Sequence, residues 1–140
     1  KGYASIKRIW KKNDQVEMIL PMEVRKIVAN PKIPDDIGKI ALQRGPLVYC
    51  AEWVDNFGKT SNIILKTNTS FTKEYRENLL NGVVVLKADA SAVIIKNEDD
   101  ISTVKQSFTV IPYYSWANRG NGEMMVWFPT RVDDVELLTK

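Results

Sequence analysis

No hydrophobic run in this 140-residue chain lasts longer than a strand, and turn-forming residues close each one. Turn signals recur about every 8–12 residues, the spacing of antiparallel sandwiches and barrels. Tyr3–Trp10 is rich in β-branched and aromatic residues. Across Lys12-Asn13-Asp14, Val16, Met18 and Leu20 alternate with Gln15 and Glu17, so the two runs read as a hairpin. Pro21 lacks a ladder donor and marks a strand end or bulge before a further strand over Met22–Ala29. Residues 30–36, with two prolines and two aspartates, are a loop.

Lys39–Gln43 and Leu47–Glu52 flank Arg44-Gly45-Pro46, where glycine permits a positive φ and proline bars donation. Over 54–70 the pattern weakens, which suits a surface excursion or an internal junction near 53–70 with a short strand at Ile63-Ile64-Leu65. Phe71, Tyr75 and Leu79 recur at helical spacing, permitting one short helix near 71–81 that Asn81-Gly82 would end. Val83–Lys87, Ala92–Lys96, Gln106–Tyr114 and Glu123–Phe128 read as strands, with an acidic turn at Asn97–Asp100. The expectation is an all-β fold: residues 1–140 as a single antiparallel β-sandwich region, jelly-roll-like or Greek-key.

The residue inventory restricts chemistry more sharply than fold. There is no histidine, and Cys50 is the only cysteine. Ser-His-Asp and Cys-His machinery and the usual zinc ligand sets are therefore outside what this chain alone can build. An intrachain disulfide is equally out of reach, so the fold stands on packing. Cys50 lies in the apolar run Leu47–Ala51, which reads as a core thiol rather than a nucleophile or metal ligand. No catalytic residue, metal site or cofactor is expected in this chain. Twenty basic and 17 acidic residues are interspersed, for a net charge of +3. That scatter argues against a nucleic-acid partner, and no apolar stretch approaches the ~18 residues of a membrane span.

Two features remain as candidates. Asp35-Asp36, Asp99-Asp100 and Asp133-Asp134 are adjacent acids. Neighbours in a strand face opposite ways, so such pairs are poorly placed to flank one glycosidic bond and read as solvated turns. Tyr113, Tyr114 and Trp116, followed by Asn118 and Arg119, are the candidate carbohydrate-binding residues. Aromatic rings stack on the apolar faces of sugars, while amides and guanidinium groups reach hydroxyls. The competing and favoured reading has Trp116 and one tyrosine filling the core while the polar groups bond a tight turn. Trp10, Trp53 and Trp127 pose the same choice with less polarity nearby.

Two longer stretches carry a family resemblance. Ile40-Ala41-Leu42-Gln43-Arg44-Gly45-Pro46-Leu47-Val48-Tyr49-Cys50 is one; Ile111-Pro112-Tyr113-Tyr114-Ser115-Trp116-Ala117-Asn118-Arg119-Gly120, with Met125-Val126-Trp127 after it, is the other. With Gly2-Tyr3 and Arg8–Asp14, they resemble the region after the catalytic barrel in glycoside hydrolase family 127, whose founding activity is β-L-arabinofuranosidase. The resemblance implies a larger enzyme: a helical barrel holding a zinc-bound cysteine nucleophile and a glutamate acid/base, then β-sandwich domains. None of those barrel motifs occurs here, so no catalytic or metal residue carries over. It further implies a non-catalytic accessory role, with the barrel of the parent chain as partner. Family analogy also suggests a periplasmic or secreted setting. The family's first sandwich begins some strands before the equivalent of Gly2-Tyr3, so the chain is expected to start partway through a sheet. The edge thereby exposed would favour a homodimer.

Overall fold

A computed structural model of the chain describes residues 2–97 and 100–135. Its nine strands are β1 (Val24–Val28), β2 (Lys39–Arg44), β3 (Leu47–Glu52), β4 (Ile63–Ile64), β5 (Thr72–Arg76), β6 (Val83–Asn97), β7 (Asp100–Pro112), β8 (Met124–Met125) and β9 (Phe128–Pro129). Every pairing is antiparallel, and the path runs β1-β2-β3-β7-β6-β4, with β5 on β6, β8 on β3 and β9 on β2. The fold is all-β, as the turn spacing predicts, and consistent with a β-sandwich.

Strands change partner along their length, which lets one hydrogen-bonded network bend over its own core. β2 pairs with β9 through Lys39 and Ile40, and with β3 through Leu42, Gln43 and Arg44. β3 passes from β2 to β7 at Tyr49 and then to β8 at Ala51. The two-residue period of a strand divides most of the apolar side chains between two clusters, with Ile64, Val93 and Val135 in a small third one. Tyr49, Ala51, Leu86, Phe108 and Val110 join Ile40, Leu42, Ile63, Leu65 and Phe128 in the main core. Cys50, Val83, Val85 and Ile111 form a second cluster, covered by Leu79, Leu80, Met124 and Val126. Burying one such aliphatic side chain contributes about 1.5–3 kcal/mol. The buried Tyr49 hydroxyl donates to the Val84 carbonyl at 2.9 Å, and burial pushes its pKa up.

Four sequence expectations change. The stretch near 71–81 is not a helix. Thr72–Arg76 pairs residue by residue with Val83–Lys87, so tertiary pairing overrides the four-residue spacing. Val83–Lys87 and Ala92–Lys96 are one continuous strand, because β7 pairs along nearly its whole length. Gln106–Tyr114 ends as a strand at Pro112 and turns into a 3-10 helix, while Glu123–Phe128 splits between β8 and β9. The fourth change is the expected hairpin over 3–20. The Lys11–Asp14 turn forms, with Asp14 N–H donating to the Lys11 carbonyl at 3.1 Å and Asn13 at φ 73°. The runs on either side are not strands, and Tyr3, Ile9, Met18, Ile19 and Leu20 are exposed. A two-stranded ribbon with no third layer to cover its apolar face is marginal in water. Over 53–70, Asn56, Thr60 and Ile63–Leu65 are buried within the same fold.

Candidate functional site

The ends of β3 and β7 lie side by side, through Tyr49 opposite Pro112 and Cys50 opposite Ile111. Each strand then rolls into a 3-10 turn: Trp53–Asp55 after β3 and Tyr113–Ser115 after β7. The second turn is closed by Trp116 N–H donating to the Tyr113 carbonyl at 3.1 Å. Ala117 then reverses the chain at φ 66°, in the left-handed region. The Asn118 amide nitrogen donates to the carbonyls of Ser115 and Trp116, both at 3.1 Å.

Beneath this turn lies a fixed charge network. Glu52 ends an otherwise apolar strand and its side chain is only 3% exposed; Arg119 is 15% and Asp55 13% exposed. Arg119 Nε donates to Glu52 Oε2 at 2.9 Å and Nη1 to Asp55 Oδ1 at 3.1 Å. Its Nη2 donates to Asp55 Oδ2 at 2.6 Å and also to Glu52 Oε2. Four contacts nearly exhaust the five N–H donors of a guanidinium. The other Glu52 oxygen, Oε1, accepts from Ala117 N–H at 3.1 Å, tying the network to the aromatic turn. Desolvation would lower the Arg119 pKa, but the hydrogen bonds to Asp55 and Glu52 outweigh it and the net direction is upward. Nearby, Asn56 is buried and bonds the carbonyls of Glu52 (2.8 Å) and Thr109 (2.9 Å), accepting from Thr109 N–H at 3.0 Å.

A third acid is also engaged. Glu123 Oε2 accepts from the backbone amides of Thr60 at 2.8 Å and Ser61 at 2.9 Å. Desolvation opposes its charge, yet these amides hold the carboxyl below the usual range. Gly122 sits against the Trp53 indole so closely that a Cβ would fall 2.0 Å from its Cδ1, so only glycine fits there.

Above the network, the rings face outward. Tyr113 is 44%, Tyr114 66% and Trp116 41% exposed, so the expected core packing of Trp116 gives way to a surface position. The 3-10 turn that carries Tyr113 and Tyr114 breaks the strand alternation, and it is Ser115 that is buried. Tyr113 and Trp116 stack on one another with centroids 5.8 Å apart and planes 19° apart. Tyr114, Ser115 and Asn118 line an open groove of about 640 Å3 with Leu80, Asn81 and Gly82 of the β5–β6 turn. The structure thus places Tyr114 and Asn118 on the groove and the stacked rings of Tyr113 and Trp116 in the same exposed turn, and it directs Arg119 inward. Trp10 is exposed, while Trp53 and Trp127 are half-buried.

The adjacent acids do not converge. Asp35-Asp36 and Asp133-Asp134 lie in separate short 3-10 turns, and Asp134 bonds Arg131; Asp99 lies outside the described residues. Among the described residues, no three His, Cys, Asp or Glu side chains are grouped to hold a metal ion. Cys50 is fully buried, and burial followed by the nearby Glu52 pushes its thiol up to about 12. Sequence reasoning missed Glu52, Asp55 and Glu123. The one available signal was an acid closing the apolar run Leu47–Ala51.

The family model for the glycoside hydrolase family 127 C-terminal domain matches residues 24–129, from the first residue of β1 to the last of β9. The chain belongs to glycoside hydrolase family 127. A non-reducing end β-L-arabinofuranosidase of Bifidobacterium longum subsp. longum is 35% identical over 125 residues, covering 81% of this chain and 19% of that protein. Among solved structures, a family 127 β-L-arabinofuranosidase from Geobacillus stearothermophilus T6 is 40% identical, with a TM-score of 0.71 over 78% of this chain and 18% of that one. A second family 127 β-arabinofuranosidase is 39% identical, with a TM-score of 0.78 over 82% and 18%. The chain thus spans about a fifth of the length of the family 127 enzymes it matches. Within the family it corresponds to the C-terminal domain rather than to a whole hydrolase.

Proposed function

We propose that this domain is a non-catalytic brace within a longer family 127 enzyme acting on β-L-arabinofuranosides or related glycans. The observation that carries this reading is the engagement of the acids on its most polar face. Glu52 and Asp55 neutralise Arg119, and Glu123 caps two backbone amides, so each carboxylate serves the fold. A glycosidase instead needs two carboxyl groups about 5–9.5 Å apart across an open cleft. The exposed apolar residues of 3–20 lie outside the stretch that matches the C-terminal domain, and they supply a strand-forming surface for the preceding part of the enzyme. In the isolated chain the same surface is available to a second copy, the origin of a homodimer.

The test is hydrolysis of an aryl β-L-arabinofuranoside by the 140-residue chain, with and without added zinc. No turnover above buffer is expected. Turnover that disappears when Glu52, Asp55 or Glu123 is replaced by its amide would overturn the reading.

A further inference from the structure

We infer that the Tyr113–Trp116 turn and the groove beside it form a binding site for a neutral saccharide. The residues lining the groove are Leu80, Asn81, Gly82, Tyr114, Ser115 and Asn118, and none of them carries a charge. An anionic ligand would lack a counter-charge there, and a purely apolar one would strand the amides of Asn81 and Asn118. A polyhydroxylated ring with one apolar face fits both demands. Its C–H face lies on the Tyr114 ring, which is 66% exposed, and its hydroxyls meet the amides. Asn118 spends its nitrogen on the Ser115 and Trp116 carbonyls, leaving Oδ1 to accept from a ligand hydroxyl. Small-molecule sites occupy about 300–1,000 Å3, and this groove, at about 640 Å3, has room for a short oligosaccharide.

Preorganisation is the second argument. Three exposed aromatics on a mobile loop would lose entropy on binding; here the loop is fastened from below. Arg119 and Glu52 act as positioning residues, with Glu52 Oε1 holding Ala117 N–H and the guanidinium locking Glu52. Binding therefore forgoes much of the ordering cost of a flexible aromatic loop. The sugar class, arabinofuranosyl units, rests on the family reading; the site itself rests on the groove.

The experiment is a tryptophan-fluorescence titration of the full chain with methyl β-L-arabinofuranoside and with L-arabino-oligosaccharides. A saturable change is expected with Kd on the order of 1 mM, tighter for the oligosaccharides. Y114A should weaken binding about tenfold, while Y114F, which keeps the ring, and W10F, which removes an exposed indole that does not line the groove, should leave it unchanged. A flat titration through tens of millimolar, or Y114A binding like the wild type, overturns the site. So does a signal that W10F removes. Binding without turnover leaves the accessory reading intact, and a flat titration removes only the saccharide site.

Discussion

Replacing Arg119 by methionine should be the most damaging single change on the polar face. The substitution keeps much of the side-chain length and deletes four hydrogen bonds, leaving the buried Glu52 and the half-buried Asp55 as carboxylates with no counter-charge. Removing one partner of a buried ion pair costs about 3–5 kcal/mol, because the remaining charge stays desolvated. Domains of this kind are stable by about 5–15 kcal/mol in all, so the loss is a large fraction. With a urea m-value of about 2 kcal/mol per M, the midpoint of denaturation should fall by about 1.5–2.5 M. Equilibrium unfolding followed by far-UV circular dichroism reads this directly, provided the wild type unfolds in one transition. Adding E52Q and D55N to the methionine variant should recover part of the loss, because neutral amides tolerate burial better. A midpoint shift below about 0.5 M would mean that the network behaves like an exposed salt bridge, and the reasoning would fail.

Other expectations follow from the same packing. E123Q should cost about 1–3 kcal/mol at neutral pH, since two backbone amides lose a charged acceptor. Because the folded carboxyl titrates below its unfolded value of about 4.3, its contribution is present above that pH and fades as pH falls through the folded pKa. The gap between variant and wild type should therefore close in acid, as urea midpoints at pH 7 and pH 3 would show. F128A should cost about 3–5 kcal/mol, or about 10–17 °C in Tm by calorimetry, as it removes a fully buried ring set edge-on to Phe108 at 5.1 Å. The isolated chain should self-associate in light scattering, and I9K with I19K should make it monomeric; a wild-type monomer at high concentration would count against docking by 3–20.

Local pattern identified the strands whose turn chemistry lies beside them. β2 and β3 follow from the apolar runs on either side of Gly45-Pro46, and β1 from the run before the proline-rich loop. Long-range pairing was the part that sequence hid. Thr72–Arg76 is a strand because Val83–Lys87 lies beside it, and no periodicity within 71–80 says so. Arg119 meets Glu52 and Asp55 across more than 60 residues of chain, so its inward direction has no local signature. The aromatic turn was half legible: the residue types marked it, and Asn118 bonds the turn as the packing reading expected. The reversal of facing at the 3-10 turn, which carries Trp116 outward, depends on geometry that strand alternation does not encode. Residues 3–20 show the converse, a strand-like pattern that forms no strand.

The pairing of β2 with β9 has a bearing on how the domain is made. Lys39 meets Pro129 and Ile40 meets Phe128, some ninety residues apart, and Phe128 fills the main core. During synthesis, β2 can meet β1 and β3 early, but half of one edge stays open until nearly the whole domain has left the ribosome. The last two strand residues act as a latch. A chain stalled or cut short of Phe128 would keep an open edge and a hole in its interior, and would be a target for aggregation rather than a slightly weakened domain.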